Sequence, residues 1–356
     1  MSQVTETQTI SVVKGDDFQV INKKVIILRR FMRNKLAVFG LGLFVLMFLF
    51  GMFGQYFTSY TPTQIDYLAL GEEPSTTHFF GTNAAGNDLY AQMVEGVRVS
   101  LLIGVVVGTT SIAISAVYGC IMAYFGGWID RVMLFLLETM IMVPSLLILA
   151  IFINGQIGKQ IQKTVPTWIV LSSVLIVFGW MGPARVIRAM AQSLIGRDYV
   201  KAARYMGVHP FKIVLRHLVP NIGSMLVLNF TTGIMIAVLS EVAYSFIGIG
   251  ITYPNYSLGS LISDAAQQLN TLPHMFWFPV IFFFLLVGPL SLMNDGLRDA
   301  FDPTSMSVGK IKKSKKPKSQ KSASKIEEAE AQEAGAAAPS TDPNPDAQAS
   351  TQNEEA

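Results

Sequence analysis

The stretch Val99–Phe125, with the sequence VSLLIGVVVGTTSIAISAVYGCIMAYF, carries no charged residue from end to end. A helix needs about 20 consecutive apolar residues to cross a hydrocarbon core of about 30 Å, and this stretch exceeds that length. Helices are the only spanning structures compatible with runs this apolar, because lipid offers the backbone no hydrogen-bond partner. Five further runs are also strongly apolar, and Glu138 is the one charged residue in them: Leu36–Phe57, Val132–Ile153, Trp168–Ala184, Asn221–Leu239 and Phe276–Met293. The sequence therefore predicts an all-α membrane protein with about six transmembrane helices.

The composition also favours a membrane protein over a soluble domain. Hydrophobic residues make up 51% of the 356 positions and charged residues only 14%, against about 25% charged residues in a typical soluble domain. The first apolar run begins near Leu36, too deep for a usual signal peptide, so we expect a retained first span. Cys120 is the single cysteine, which excludes an intrachain disulfide and a cysteine-based metal cluster.

Lysine and arginine are distributed unevenly between alternate loops. Of the 27 such residues, all but three lie before the first run, between the second and third, after the fourth, or in the tail; the exceptions are Arg98, Lys159 and Lys163. Loops rich in lysine and arginine stay in the cytoplasm. We therefore expect a multi-pass protein of the inner or plasma membrane with both termini in the cytoplasm and residues 58–98 outside it.

Three segments follow from these patterns: a cytoplasmic N-terminal segment, residues 1–35; a transmembrane domain, residues 36–303; and a tail, residues 304–356. The N-terminal segment is predicted to form an amphipathic surface helix, because four apolar residues recur at helical spacing between basic ones: Ile21, Val25, Leu28 and Met32. The tail is first basic and then acidic and lacks apolar residues, so we expect it to be disordered. Its basic block, Lys310–Lys325, either rests on anionic lipid or is simply solvated.

The sequence contains no residue pattern typical of a membrane enzyme. The four histidines are spread over three loops, without the spacing of a metal site such as H-E-x-x-H: His78, His209, His217 and His274. No serine lies in a G-x-S-x-G turn, and no G-x-x-x-x-G-K-[ST] loop is present. The nearest string, Gly155–Lys159, is followed by Gln160. We predict no catalytic, cofactor or metal site in the chain, and no binding of ATP through a phosphate-binding loop.

Two carboxylates leave a secondary transporter or channel open as an alternative. Glu138 lies about two turns inside the cytoplasmic end of the third run, where it could face the translocation pathway or a neighbouring chain. Glu241 is expected at the outer boundary of the fifth run. Ion-coupled transport needs ionisable groups at mid-membrane depth, and two marginal carboxylates are a weak basis for it. A structural or interface role for Glu138 is the favoured interpretation.

The loop after the fourth run, residues 185–220, is the most informative stretch. A helix is predicted to begin near Asp198 and to end at Gly207, which readily adopts the left-handed conformation of a helix C-terminus. Three of its residues are predicted to share one face: Tyr199, Ala203 and Met206. Small Ala202 and Ala203 would allow another protein to approach closely.

A second helix is predicted directly after this turn. Pro210 fits its first turn, where proline is well tolerated, and Pro220 closes it before the fifth run. Its apolar residues are Phe211, Val214, Leu215 and Leu218. The loop is therefore predicted to form a helix, a tight turn and a second helix, lying across the cytoplasmic face.

This pattern resembles the EAA loop of permease subunits in ATP-binding-cassette importers. The resemblance rests on the order and spacing of five residues: Ala202, Ala203, Gly207, His217 and Pro220. In that family the loop carries a coupling helix that docks in a cleft of a separate ATPase subunit, so the resemblance implies this role for Asp198–Pro220. Lys201 departs from the pattern, because the family usually has glutamate there.

Further strings, in order along the chain, resemble the C-type permease subunit of dipeptide and oligopeptide transporters. They are Arg29–Val38, Phe80–Asp88, Gly96–Gly104, Gly126–Arg131 with Pro144-Ser145, Ser245–Gly250 and Asn294–Pro303. Within them Asn83 and Asn87 stand where the family usually has aspartate and arginine. The resemblance covers roughly Arg29 to Pro303 and implies the type I importer permease fold.

The same resemblance implies a set of partners. A homologous B-type permease would complete the translocation pathway, two ATPase subunits would bind ATP and Mg²⁺, and an extracytoplasmic binding protein would deliver peptide to the loop 58–98. Membrane lipid is the remaining partner, and no nucleic acid is implied. Relatives carry dipeptides, longer peptides, nickel chelates or sugars, so the exact substrate stays open. The alternatives are a secondary transporter or channel without an ATPase, and a membrane scaffold that works through its basic tail.

Overall fold

The structure is a computed structural model that describes residues 23–301, with side chains from Ile27 onward. The predictions for the tail, including its disorder and its basic block, lie outside the described residues. So does Ile21 of the predicted N-terminal helix. That helix is present as α1, Lys23–Arg33, and its Leu28 and Met32 side chains are exposed, as expected of an amphipathic surface helix.

Helices dominate the described residues, in which strand pairing is limited to two isolated bridges, Ile65–Asn87 and Thr82–Asp88. In chain order the helices after α1 are α2 Lys35–Phe53, α3 Leu89–Phe125, α4 Gly127–Ile141, α5 Ser145–Asn154, α6 Gln156–Ile161, α7 Thr167–Gly179, α8 Met181–Ile195, α9 Asp198–Tyr205, α10 Pro210–Ile213, α11 Val219–Asn221, α12 Gly223–Phe246, α13 Leu258–Ala266 and α14 Pro273–Phe301. A 3₁₀ turn, Gly54–Phe57, extends α2, and a π-helical turn, Val214–Leu218, separates α10 from α11.

Five helical stretches are long and apolar enough to cross a membrane: Lys35–Phe57, Leu89–Phe125, Thr167–Ile195, Gly223–Phe246 and Pro273–Phe301. A sixth forms if α4 and α5 are counted as one span, although the pair is bent by 62°. This confirms the prediction of an all-α membrane protein with about six transmembrane helices.

The ends of several spans differ from the predicted ends. Helix α3 begins at Leu89, well before Val99, because the Asp88 carboxylate accepts a hydrogen bond from the Ala91 amide at 2.9 Å and caps the helix. Helix α8 continues to Ile195, past Ala184. Apolar composition marks the part of a helix that lies in lipid, whereas capping groups mark where the helix itself begins or ends.

The third predicted span is not one straight helix. Helix α4 ends at Ile141 and α5 begins at Ser145, with Pro144 between them. Proline lacks an amide hydrogen and clashes with the preceding turn, so it accounts for the break. By contrast Pro279 and Pro289 both lie inside α14, which continues through them to Phe301.

Helix α3 is the centre of the bundle and packs against α2, α7, α8 and α12. Glycine permits the closest of these approaches. A Cβ atom at Gly119 would lie 2.7 Å from the Ala184 carbonyl oxygen on α8, and one at Gly108 would lie 3.0 Å from the Ile234 amide nitrogen on α12. Small residues of this kind let helix backbones approach closely in membrane proteins, where packing rather than hydrophobic burial drives association.

Glu241 lies inside α12, five residues before the end of the helix, and is fully buried. Helix α12 runs to Phe246 rather than ending at Leu239. The Ser100 and Ser245 hydroxyls donate to the two Glu241 carboxylate oxygens, each at 2.8 Å. These hydrogen bonds offset the cost of burying the carboxyl group and join α12 to α3.

Candidate functional site

The turn after α9 closes as a Schellman motif. The Val208 amide donates to the Ala203 carbonyl and the Gly207 amide to the Arg204 carbonyl, both at 3.1 Å. Gly207 has a φ of +73°, in the left-handed region that favours glycine. The prediction that Gly207 ends this helix is confirmed, with Tyr205 as the last helical residue.

The second half of the loop is helical but irregular. Pro210 occupies the first turn of α10, as predicted, and the chain then passes through the π-helical turn Val214–Leu218. The Asn221 side-chain amide donates to the His217 carbonyl at 2.6 Å. Such π turns are rare and occur frequently at functional sites. Pro220 lies in the short helix α11, which leads into α12.

One side of this loop is anchored in the bundle. Its buried residues are Val200, Ala203, Ile213, Val214 and Leu218. They form one apolar cluster with residues of α3 and α8, including Ala116, Cys120, Ile187 and Ala191. The Arg204 guanidinium also lies over the Tyr124 ring of α3, 5.7 Å from its centroid. Because the loop is fixed to two long helices, a force on the loop reaches α3 and α8 directly.

The opposite side of the loop exposes large apolar groups. Tyr205 is 88% exposed and Met206 74% exposed. We define the loop patch as these two residues together with three other exposed ones: Tyr199, Phe211 and Leu215. Contiguous exposed apolar residues of this kind mark surfaces that bind another protein. Exposed basic residues surround the patch: Lys201, Arg204, Lys212 and Arg216.

Most of the predicted loop residues are accessible from outside the chain. Asp198, Lys201, Ala202, Gly207 and Pro220 are exposed, and His217 is half-buried.

Ala203 is the exception, and it corrects one expectation. Its side chain is only 2% exposed, so it packs inside the chain and is not available for close approach by a partner. It lies on the same helical side as Tyr199, four residues earlier, but at the edge where that side turns inward, since Tyr199 and Met206 are both exposed. The inward face of α9 is instead formed by Val200 and Ala203, three residues apart, because that spacing returns to the same side of a helix.

Glu138 lies apart from the loop, on an exposed part of α4. It is close enough to Arg188 of α8 to interact with its charge. Arg188 in turn donates through Nε and Nη2 to both carboxylate oxygens of Asp130 on α4. The sequence did not reveal this pair, because nothing in the spacing of two residues on different helices indicates that they meet. The available signal was Asp130, a charged residue near the start of a mostly apolar helix.

Within residues 23–301, no group of three or more histidine, cysteine, aspartate or glutamate residues could hold a metal ion.

Two sequence families match this chain. Residues 115–306 match the binding-protein-dependent transport system inner membrane component, and residues 25–74 match the N-terminal transmembrane domain of oligopeptide transport permease C.

Individual relatives cover most of the chain. The oligopeptide transport system permease protein OppC of Mycobacterium tuberculosis is 38% identical over 81% of this chain and 97% of its own length. The protein of the same name from Haemophilus influenzae is 32% identical, over 77% of this chain and 86% of its own length. The dipeptide transport system permease protein DppC of Bacillus subtilis is 30% identical, over 77% and 84% respectively.

Proposed function

The chain belongs to the family of binding-protein-dependent transport system inner membrane components, and from this premise we propose that it is the C-type permease subunit of an ATP-driven importer of peptides. Two findings support peptides as the cargo. The N-terminal helices match the transmembrane domain of oligopeptide transport permease C, and the relatives above are named as oligopeptide or dipeptide permeases.

The loop patch is the observation that carries the proposed mechanism. It presents Tyr205 and Met206 outward while Val200 and Ile213 anchor the loop on α3 and α8. A separate ATPase subunit that binds the patch would therefore move two spanning helices, α3 and α8. ATP binding shifts the equilibrium between inward-open and outward-open states only if the ATPase binds the two states with different affinity.

The proposed assembly contains this chain, a homologous B-type permease, two ATPase subunits and an extracytoplasmic substrate-binding protein. ATP and Mg²⁺ bind to the ATPase subunits. The assembly sits in the inner membrane, with the loop patch and both termini of this chain on the cytoplasmic side. The concentration of lysine and arginine in alternate loops supports that orientation.

Uptake by proteoliposomes containing the purified assembly tests this proposal. A labelled tripeptide should accumulate when ATP, Mg²⁺ and all the subunits are present. This chain reconstituted without the ATPase subunits should neither hydrolyse ATP nor transport. Uptake by the chain without ATPase subunits would establish the alternative, a secondary transporter or channel. ATP-driven uptake of a different cargo, with none of the tripeptide, would overturn the assignment of peptide.

A further inference from the structure

A cavity of about 210 Å³ lies within the spanning part of the bundle, between α3, α7, α12 and the start of α5. Its lining is mostly apolar but includes several residues with hydroxyl or amide groups. They are Ser111 on α3, Ser145 on α5, and Asn229, Thr232, Ser240 and Tyr244 on α12. Among the described residues that line it, none carries a charge. The space is large enough for several water molecules or a short piece of an extended chain.

Two polar groups at this cavity lack partners. The Ser111 hydroxyl and the Asn229 side-chain nitrogen are buried and form no hydrogen bond with any described residue. Ser111 is only 6% exposed. A buried polar group without a partner costs about 1–3 kcal/mol. A hydrogen-bonding ligand in the cavity would remove this cost once a side-chain rotation turned the two groups toward it.

The backbone beside the cavity points to the same conclusion. The break Met142–Pro144 lies within the third span and leads directly into Ser145, whose hydroxyl lies 3.0 Å from the Tyr244 hydroxyl. Helix α4 has 15 residues, so at about 1.5 Å per residue the break lies about 22 Å along the span. Irregular backbone at such depth is tolerated only against protein or a water-filled cavity. Met142 is 81% exposed in this chain, so the break lies at the surface of this subunit, where the partner permease of the proposed assembly would have to cover it.

The chemistry of the lining restricts the ligand. Hydroxyl and carboxamide groups donate to carbonyl oxygens and accept from amide hydrogens, which are the two groups that every peptide bond offers. An uncharged lining neither attracts nor repels the charged side chains of a peptide. A proton or metal ion would instead require ionisable or chelating groups.

We propose that this cavity, with Ser111 and Asn229 at its centre, binds the main-chain amide groups of the peptide during translocation. This inference rests on the proposed function, because it takes the cargo to be a peptide. The site recognises what all peptides share and ignores the charge of their side chains. A charged residue introduced at position 229 should therefore give the site a preference for peptides of the opposite charge.

The test uses the complete transporter in proteoliposomes and three labelled tripeptides, Ala-Ala-Ala, Ala-Glu-Ala and Ala-Lys-Ala. Ser111→Ala and Asn229→Ala should each raise the concentration for half-maximal uptake by roughly three- to tenfold for all three peptides, as expected for the loss of one hydrogen bond. Asn229→Asp keeps the shape of the side chain but adds a negative charge. It should favour Ala-Lys-Ala over Ala-Glu-Ala by roughly tenfold relative to the wild type. Thr109→Ala is the matched control, since the Thr109 hydroxyl is exposed on α3 and bonds to its own helix.

The outcomes separate this inference from the proposed function. Absence of tripeptide uptake by the wild-type transporter would defeat the proposed function and this inference with it. Normal wild-type uptake would defeat the inference alone if the alanine variants matched the wild type and Asn229→Asp showed no charge preference. Failure of all three variants to co-purify with the partner subunits would also overturn it, because the two groups would then serve helix packing.

Discussion

Arg188 on α8 donates hydrogen bonds to both carboxylate oxygens of Asp130 on α4. Asp130 is buried and Arg188 is half-buried. The pair therefore ties the first half of the broken span to the helix that leads into the loop patch. In the proposed mechanism, movement of the loop patch would reach α8 first, and the ion pair would transmit it to α4.

Asp130→Asn should loosen this connection. Removing one partner of a buried ion pair leaves an uncompensated charge and costs about 3–5 kcal/mol, with the low end expected here because Arg188 keeps some exposure. We expect a lower melting temperature of the purified assembly and a loss of most uptake. Arg185→Gln is the control, one turn earlier on α8 at an exposed position, and should behave as wild type. A double variant without either charge, Asp130→Leu with Arg188→Met, should regain stability, and its failure to do so would argue against the ion pair as the cause.

Gly207 should tolerate asparagine better than valine. A Cβ atom at this position would meet nothing within 4 Å, so space does not restrict it and only the positive φ does. Forcing an L-residue into the left-handed region costs roughly 1–2 kcal/mol, and asparagine accepts it more readily than a β-branched residue. Gly207→Val should therefore abolish most uptake while leaving membrane insertion intact, whereas Gly207→Asn should retain it. Equal uptake by both variants would show that the Schellman turn does not matter for coupling.

Gly119 should be sensitive to enlargement, because it lies where α3 packs on α8. Its Cβ would lie 2.7 Å from the Ala184 carbonyl oxygen and 3.0 Å from the Arg188 amide nitrogen. Because these contacts are with backbone, α3 and α8 would have to separate. Gly119→Val should destabilise the detergent-solubilised protein by about 1–3 kcal/mol, the range for overpacking a core. Gly182→Ala, on α8 with open space around it, should leave the melting temperature nearly unchanged. A similar melting temperature for both variants would contradict the packing described.

The helices of this fold are readable from the sequence because each apolar run has the length that lipid demands. Helix ends were less predictable. Leu89–Arg98 includes Glu95 and Arg98, so composition alone excluded it from α3. Gly207 and Pro210 were readable because each has a conformational preference of its own. The orientation of α9 could not be read from the sequence, because Val200 faces inward only through its contact with α3 and α8.

The candidate site likewise contains features that the local sequence predicts and features that it does not. The turn residues of the loop were identified from local preferences, and their structure agrees. The Asp130–Arg188 pair and the Ser111–Asn229 cavity depend on which helices are neighbours, and no local pattern contains that information. Glu241 illustrates the point most simply: of the two hydroxyls that donate to its buried carboxylate, that of Ser100 comes from another helix.

The most direct test of the central claim is ATP-driven uptake by an assembly in which the loop patch has been altered. Tyr205→Ala combined with Met206→Ala removes the two most exposed apolar side chains of the patch without touching its buried anchor. Tyr67→Ala is the control, because Tyr67 is comparably exposed, at 78%, but lies in loop 58–88. If a separate ATPase drives the chain through this surface, the double variant should lose at least tenfold in uptake and in co-purification of the ATPase subunits. The control should keep those subunits bound. Undiminished uptake by the double variant would contradict the claim.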